Sequence, residues 1–306
     1  MTVQRSTGRR VLVTGGAGFF GSHVVDLLRS GGDQVTVVDD LSTGDRANLD
    51  PAVALRVADI SVPGALGEAL AGESLDAVVH CAAKTKVVES IEEPERYRRV
   101  ILHGTANVLD AAQEAGARDF VNVSTGGALY GETPACATED ARIDAPSPYG
   151  RYKAEAERLV ASTPGLRSVT LRFANIYGPR QRTDLEGGVI AIFIGCWRRH
   201  QPLTLFGDGT AERDYVHVAE CAAAIRAALA GSFTGAYNIG TGVATSVNTL
   251  IEALTALLGP APGVVRAAER PGEIQRSCLD ASKAARDGLW RSEVGLREGL
   301  RRTLAA

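Results

Sequence analysis

"VLVTGGAGFFGSH", Val11 to His23, decides the fold of this chain. An apolar, strand-like run enters three glycines, Gly15, Gly18 and Gly21, spaced GxxGxxG, and a helical pattern follows. A glycine pattern alone is a weak signal. Its force comes from the strand before it and the helix after it. Small residues allow a tight turn and let a pyrophosphate approach the backbone N–H groups, and the helix N-terminus adds a favourable dipole. The competing reading is an ordinary glycine-rich connection. Asp39 argues against that, because it ends "QVTVVDD" (Gln34–Asp40) about 20 residues on, where a dinucleotide fold places its ribose-binding acid. A carboxylate there accepts hydrogen bonds from ribose hydroxyls and repels a 2′-phosphate. Asp40, Leu41 and Ser42 bring no arginine to offset that repulsion, so NAD is favoured over NADP. Asp59 and Ile60, after the third strand, are candidates for the adenine, although Asp59 taken alone reads as a turn or capping residue.

Outward from this stretch, short apolar runs alternate with helical patterns. "ALRVADI", "DAVVHCAA" and "DFVNVST" read as strands. "PERYRRVILHGTANVLDAAQEAG" reads as one helix with Tyr97, Val100, Ile101, Val108, Leu109 and Ala112 on its apolar face. The strands are continuously apolar rather than alternating, as strands covered on both faces are. The predicted fold is therefore α/β: a doubly wound, Rossmann-like parallel sheet with a smaller C-terminal lobe. The expected bounds are 9–175 for the NAD-binding domain, with 214–245 returning to it, and 176–213 plus 246–306 for the substrate lobe.

"VSTGGALYG", Val123 to Gly131, puts Ser124 and Thr125 where a strand ends, followed by two glycines. The carboxyl edge of a parallel sheet is where open α/β folds bind ligands. "SPYGRYKAEAE" adds Tyr149 and Lys153, an i, i+4 pair on one face of a predicted helix. A lysine ammonium near a phenol favours phenolate, so Tyr149 can act as a general base on a substrate hydroxyl that Thr125 or Ser124 aligns. A YxxxK pair is commonplace by itself. Its weight here comes from the upstream nucleotide pattern and the strand-end hydroxyls.

Composition sets the outer limits. The chain has 306 residues, 45% hydrophobic and 23% charged, as in a globular protein with a sizeable core. A net charge of −3, with no basic patch interleaved with aromatics, gives no case for nucleic acid or an anionic membrane. The most apolar stretch, "VIAIFIGCW", is too short to span a bilayer, and no signal-type segment follows the N-terminus. The expected location is cytoplasmic. Five scattered cysteines without CxxC spacing read as free thiols.

Ten motifs in order, among them "TGGAGFFGSH", "VVDDLSTG", "VVHCAA", "STGGALYG", "SPYGRYKAEAE", "LRFANIYGPRQ", "FGDGTAERDYVHV", "YNIGTG" and "RPGEIQRSCLDASKA", resemble the extended short-chain dehydrogenases that act on nucleotide sugars. Among these the chain is most similar to bacterial NAD-dependent UDP-glucose 4-epimerases. The resemblance implies that Phe19 and Phe20 lend amides to the pyrophosphate and that Asp39, Asp40, Ser42, Thr43 and Gly44 wrap the adenosine ribose. It implies that Cys81, Ala82, Ala83, Lys84 and Phe173 border the cofactor, with Lys84 and Thr85 also near the sugar. Substrate contacts fall to Asn175, Val189, Phe206 at the uracil, Arg213 and Arg270 at the diphosphate, and Glu273 at the ribose. A homodimer is implied, formed by the helix around Val100–Ala112 and the one starting at Tyr149.

Dehydratases and decarboxylases of this family carry an acid just after the strand-end hydroxyls. Gly126 and Gly127 stand there instead, which favours epimerisation of a UDP-hexose at C4. Three departures bear on that expectation. Ile101 replaces the usual asparagine of a helix motif. Arg182 stands where glucose-type relatives often have an acid, and it suits a UDP-glucuronate 4-epimerase as the alternative. Ser277 falls at the family's gate for the sugar 2-substituent and leaves room for an N-acetyl group.

Overall fold

The computed structural model describes residues 8–183, 188–269 and 274–306. The chain divides into two compact units. The first comprises Met1–Ser124, Ser147–Arg172 and Ala222–Tyr237. The second comprises Thr125–Pro146, Phe173–Cys221 and Asn238–Ala306. The units interleave more finely than the bounds drawn from sequence, and 125–146 goes with the second.

The first unit opens with β1 (Arg10–Thr14), α1 (Phe19–Ser30), β2 (Gln34–Asp39), β3 (Ala54–Val57), α2 (Ala65–Leu70) and β4 (Ala77–His80). Two short helices follow, α3 (Val87–Glu92) and α4 (Pro94–Arg98). Then come α5 (Gly104–Glu114), β5 (Asp119–Thr125), α6 (Pro148–Ser162) and β6 (Arg167–Phe173). With β10 (Gly235–Ile239), its strands form a seven-stranded sheet in the order β10-β6-β5-β4-β1-β2-β3. The registers from β3 through β5 are all parallel. This is a Rossmann-like α/β sheet. Its strand order reverses between β1 and β4, the switch point at which such sheets bind ligands.

The uniformly apolar strands are explained by burial on both faces: Val11, Leu12 and Val13 are each at most 1% exposed. On one face Leu12, Val38, Val78 and Phe120 pack with Leu66 and Leu70 of α2, Val108, Leu109 and Ala112 of α5, and Val160 of α6. The stretch read as one helix from Pro94 is interrupted. α4 and α5 are joined by a π-helical segment, Arg99–His103, with Ile101 at its centre and 1% exposed. Single π turns inside α-helices often mark functional sites.

The second unit contains β7 (Asn175–Tyr177), α7 (Val189–Arg198), β8 (Leu203–Phe206), β9 (Glu212–His217) and the start of α8 (Val218–Ala230). After β10 come β11 (Ala244–Ser246), α9 (Val247–Leu258), β12 (Val264–Ala267), β13 (Arg276–Ser277), α10 (Ser282–Arg286) and α11 (Leu296–Ala305). β9 pairs with β7, β11 and β13, while β8 pairs with β12. The apolar run "VIAIFIGCW" forms α7, whose Ile190, Phe193, Ile194 and Trp197 pack with Leu250, Leu254 and Leu300. Among the described residues no helix is long and apolar enough to cross a membrane.

The cysteine expectation needs correction. Cys136 and Cys278, 142 residues apart, form a disulfide, and only Cys81, Cys196 and Cys221 are free thiols. The fold brings together two cysteines that sequence spacing leaves unrelated.

One buried ion pair ties α6 to β6. Arg172 Nε and Nη2 donate to the Glu157 carboxylate at 3.0 and 2.7 Å, and the two residues are both under 10% exposed. Removing one partner strands the other charge in the interior. Arg172→Ala is therefore expected to lower unfolding free energy by roughly 3–5 kcal/mol, whereas Arg172→Met with Glu157→Leu recovers most of the loss, as read by urea denaturation.

Candidate active site

The glycine turn forms because its neighbours leave no room for side chains. Gly15 has φ +68°, and a Cβ there would lie 2.7 Å from the backbone of Ala82. A Cβ at Gly21 would lie 2.1 Å from the Gly15 carbonyl oxygen. The Gly15 N–H donates to the Val38 carbonyl at 2.8 Å, and Gly18 begins α1 with no side-chain cap and no acid in the first turn. That turn, which Phe19 and Phe20 begin, forms an electropositive helix end with no side-chain cap at Gly18.

Asp39 closes the turn from β2. Its carboxylate accepts the Ala17 N–H at 2.9 Å and the Leu41 N–H at 2.8 Å, with Leu41 in the left-handed region at φ 57°. Burial pushes its pKa above the usual carboxylate value, against the pull of those N–H donors. Gly44 lies so close that a Cβ would meet Asp39 Oδ1 at 2.8 Å. The loop is knotted further by Asp45 N–H and Asn48 Nδ2, which donate to the Ala17 carbonyl at 3.0 and 2.9 Å. Asp40 and Asp59 act locally: Asp40 accepts from the Ser42 N–H and hydroxyl, and Asp59 from the Ser61 N–H. Ile60 is buried, and its carbonyl accepts the Asn107 amide at 2.8 Å.

Across the switch point, the Cys81 N–H donates to the Thr14 carbonyl at 3.1 Å, which sets Cys81 and Ala82 beside the glycine turn. Beneath them, Thr14 Oγ1 lies 2.8 Å from His80 Nδ1, and His80 Nε2 lies 3.0 Å from Thr105 Oγ1. Thr105 in turn donates to the Ile101 carbonyl in the π turn. Burial pulls the His80 pKa down to about 3, with Lys153 adding to the effect, so the ring is neutral. Burial pushes the Cys81 thiol up to about 12. Lys84 is half-buried and Thr85 exposed on the segment that follows.

α6 carries the reactive pair. Ser147 caps it by accepting the Gly150 N–H at 3.1 Å, and Pro148 occupies the first turn. Tyr149 and Lys153 then lie one turn apart, 8% and 6% exposed. Lys153 Nζ donates to the Val123 carbonyl at 2.6 Å, one residue before Ser124. The Ser124 hydroxyl is buried and has no hydrogen-bond partner among the described residues. A buried hydroxyl without a partner costs free energy unless something supplies the bond.

The second unit holds a separate polar cluster. A Cβ at Gly127 would lie 3.2 Å from Asn175 Oδ1, 3.7 Å from Ser277 Oγ and 3.9 Å from Thr125 Oγ1. A Cβ at Gly126 would strike the Leu279 side chain at 2.4 Å. An acid at Gly126 therefore has no room unless Leu279 moves, whereas one at Gly127 needs Asn175 Oδ1 to give by a few tenths of an ångström. Arg213 lies on β9 with Nη1 on the Glu212 carbonyl. Phe173 is buried, Phe206 is 37% exposed, Val189 begins α7 and Arg182 is exposed. Arg270 and Glu273 lie outside the described residues. Asp214 is a buried structural acid of this unit that its sequence context does not single out. It is 1% exposed, and its carboxylate accepts the N–H and hydroxyl of Thr241 and the N–H groups of Gly242 and Leu279.

Residues 11–240 match the profile of the NAD dependent epimerase/dehydratase family. The chain belongs to that family. It is 35% identical over 308 residues to the UDP-glucose 4-epimerase of Mycolicibacterium smegmatis, covering 96% of this chain and 97% of the relative. The crystal structure of the Thermotoga maritima UDP-glucose 4-epimerase with UDP-glucose superposes with a TM-score of 0.93 at 37% identity, covering 97% of both chains. That of the Thermus thermophilus UDP-glucose 4-epimerase with NAD gives 0.91 at 39% identity, covering 97% of this chain and 98% of the other.

The Lys153 environment makes a direct prediction. Burial brings its pKa from the ordinary 10.5 down to about 8, with Glu157 opposing the shift. In protein carrying carbon-13 at the lysine ε positions, one resonance is expected to titrate near pH 8 and to vanish in Lys153→Met. An ammonium below that pH and an amine above it means that any step leaning on the cation weakens as pH rises through about 8.

Proposed function

We propose that this chain is an NAD-dependent 4-epimerase of a UDP-hexose, of the UDP-glucose/UDP-galactose type. The observation that carries the reading is the buried Lys153 ammonium fixed on the carbonyl of Val123, one turn from Tyr149 on α6, with Ser124 next in the chain and its buried hydroxyl without a partner among the described residues. The glycine turn, the uncapped N-terminus of α1 and Asp39 fit a dinucleotide diphosphate and its ribose, because each offers space or hydrogen bonds where side chains are excluded. Bound NAD would supply the hydride acceptor and, once reduced, the donor.

The chain's own residues do the proton work. Lys153 holds Tyr149 toward phenolate, and Tyr149 takes the proton of the sugar 4-hydroxyl. Ser124 or Thr125 orients that hydroxyl. After the 4-keto sugar turns over, Tyr149 gives the proton back to the C4 oxygen as the opposite face is reduced, for which bound NAD would supply the hydride. Asn175, Arg213, Arg270 and Glu273 are assigned to the UDP portion. Arginine suits a diphosphate because its planar fork of donors matches phosphate oxygens. Gly126 and Gly127 leave the site without the acid that elimination or decarboxylation would use.

A UDP-glucuronate 4-epimerase is the second reading, favoured by Arg182, whose guanidinium can pair with a C6 carboxylate. We also infer a homodimer through α5 and α6, to be checked by sedimentation velocity.

Product analysis after incubation with UDP-glucose, UDP-galactose, UDP-N-acetylglucosamine and UDP-glucuronate tests the proposal. C4 epimers of UDP-glucose and UDP-galactose are expected, and the absence of any C4 epimer overturns it. Tyr149→Phe should lower turnover roughly 100-fold or more while bound NAD is retained. If Arg182→Ala impairs turnover of the uronate far more than of the glucose substrate, the second reading replaces the first.

A further inference from the structure

The chain from Gln275 to Leu279 contains β13, which pairs with β9 through Arg276↔Glu212 and Ser277↔Arg213, and four side-chain holds are added to that pairing, all within the second unit. The Glu132 carboxylate accepts the N–H groups of Gln275 and Arg276 at 2.7 and 2.8 Å. Arg276 makes an ion pair with Glu212. Asp214 accepts the Leu279 N–H at 3.3 Å. The fourth hold is the Cys136–Cys278 disulfide, flanked by backbone bonds from Ala137 N–H to the Cys278 carbonyl (2.9 Å) and from Asp280 N–H to the Ala137 carbonyl (2.8 Å). Three of these holds are hydrogen bonds or ion pairs that a thiol reductant does not touch. The disulfide alone is chemically reversible.

What this segment presents is Ser277. Its hydroxyl faces the bare Cα of Gly127 together with Asn175 Oδ1 and Thr125 Oγ1. Thr125 ends β5, so Ser277 borders the space next to a strand-end hydroxyl. Cys278 is 2% exposed and adjacent in sequence to Ser277, whereas Cys136 is half-buried on the loop that follows β5. An external thiol therefore meets Cys136 first.

We propose that the Cys136–Cys278 disulfide is a redox-reversible clip that positions Ser277, so that binding on the sugar side depends on thiol status and binding of the dinucleotide does not. This rests on the UDP-hexose reading above. A dithiol reductant breaks the S–S bond by thiol–disulfide exchange. It gives up two electrons and two protons, leaves as its own disulfide, and Cys136 and Cys278 become thiols. Glu132 and Asp214 still hold the segment after reduction, so the response is graded rather than an on–off loss. Asp39, Cys81 and Lys153 belong to the other unit, so dinucleotide binding is expected to persist on reduction.

The test uses the full-length protein with its bound dinucleotide, before and after dithiothreitol, with intact mass reporting the gain of two hydrogens. UDP-glucose and UDP-N-acetylglucosamine are assayed for KM and kcat, and UDP-glucose binding is measured by calorimetry. Reduction is expected to raise KM and the dissociation constant about fivefold, at the low end of ordinary coupling between sites. It should also change the preference between the two sugars, with kcat within about twofold and bound NAD unchanged. The double variant Cys136→Ser with Cys278→Ser should show the raised KM throughout and no response to reductant. Unchanged KM and affinity on verified reduction overturn the clip but leave the epimerase reading standing. Free thiols at both positions in protein never exposed to reductant overturn it as well. Absence of both UDP-sugar binding and turnover in either redox state overturns the functional reading and the clip with it.

Discussion

A lysine ammonium buried against a strand carbonyl is the constraint on which the first unit's chemistry depends. Lys153 is enclosed by the end of β5 and the body of α6, and its bond to Val123 at 2.6 Å fixes the helix to the strand at that height. Burial makes the charge costly, and the cost appears as a pKa brought down to about 8. A cation held in that state answers strongly to any nearby group that becomes anionic, because low local dielectric magnifies the interaction. The buried Arg172–Glu157 pair one turn further along α6 then does more than join two elements. It also places the Glu157 carboxylate near the lysine, where its charge partly offsets the burial that lowers the Lys153 pKa.

Buried carboxylates also organise loops in each unit. Asp39 gathers the backbone of Ala17 and Leu41, and Asp214 gathers Thr241, Gly242 and Leu279. In both cases burial raises the pKa while backbone N–H donors oppose the shift. The glycines beside them follow from the same geometry. Gly44 and Gly240 lie where a Cβ would meet the carboxylate at 2.8 and 2.5 Å. A short acid thus does for irregular backbone what a ladder of hydrogen bonds does for a strand.

Much of this was legible in the sequence because the signals were local. Val11–Thr14 running into three glycines announced both the sheet and its ligand edge, and Asp39, Tyr149 and Lys153 stood at spacings that chemistry dictates. The remainder depended on long-range contacts. Asp214 reads as one acid in a strand until Thr241 and Leu279 converge on it from 27 and 65 residues away. The disulfide joins residues 142 positions apart, and no spacing rule links them. Gly126 was readable as a missing acid, but only packing shows that Leu279 fills the place a side chain would take.

The π turn between α4 and α5 has a consequence for how this rod is phased. Tyr97, Ile101, Thr105 and Leu109 are buried at successive intervals of four residues. On a regular α-helix each such step overshoots a full turn by about 40°, so four residues in that rhythm would spiral off the face they share. The wider turn at Arg99–His103 winds the chain back and cancels the drift. Tyr97 and Thr105 are both buried, and Thr105 reaches His80 at 3.0 Å. The irregularity works as a vernier: one loosened turn brings two helical phases into register, and with them the buried hydroxyl–imidazole chain that runs under the glycine turn.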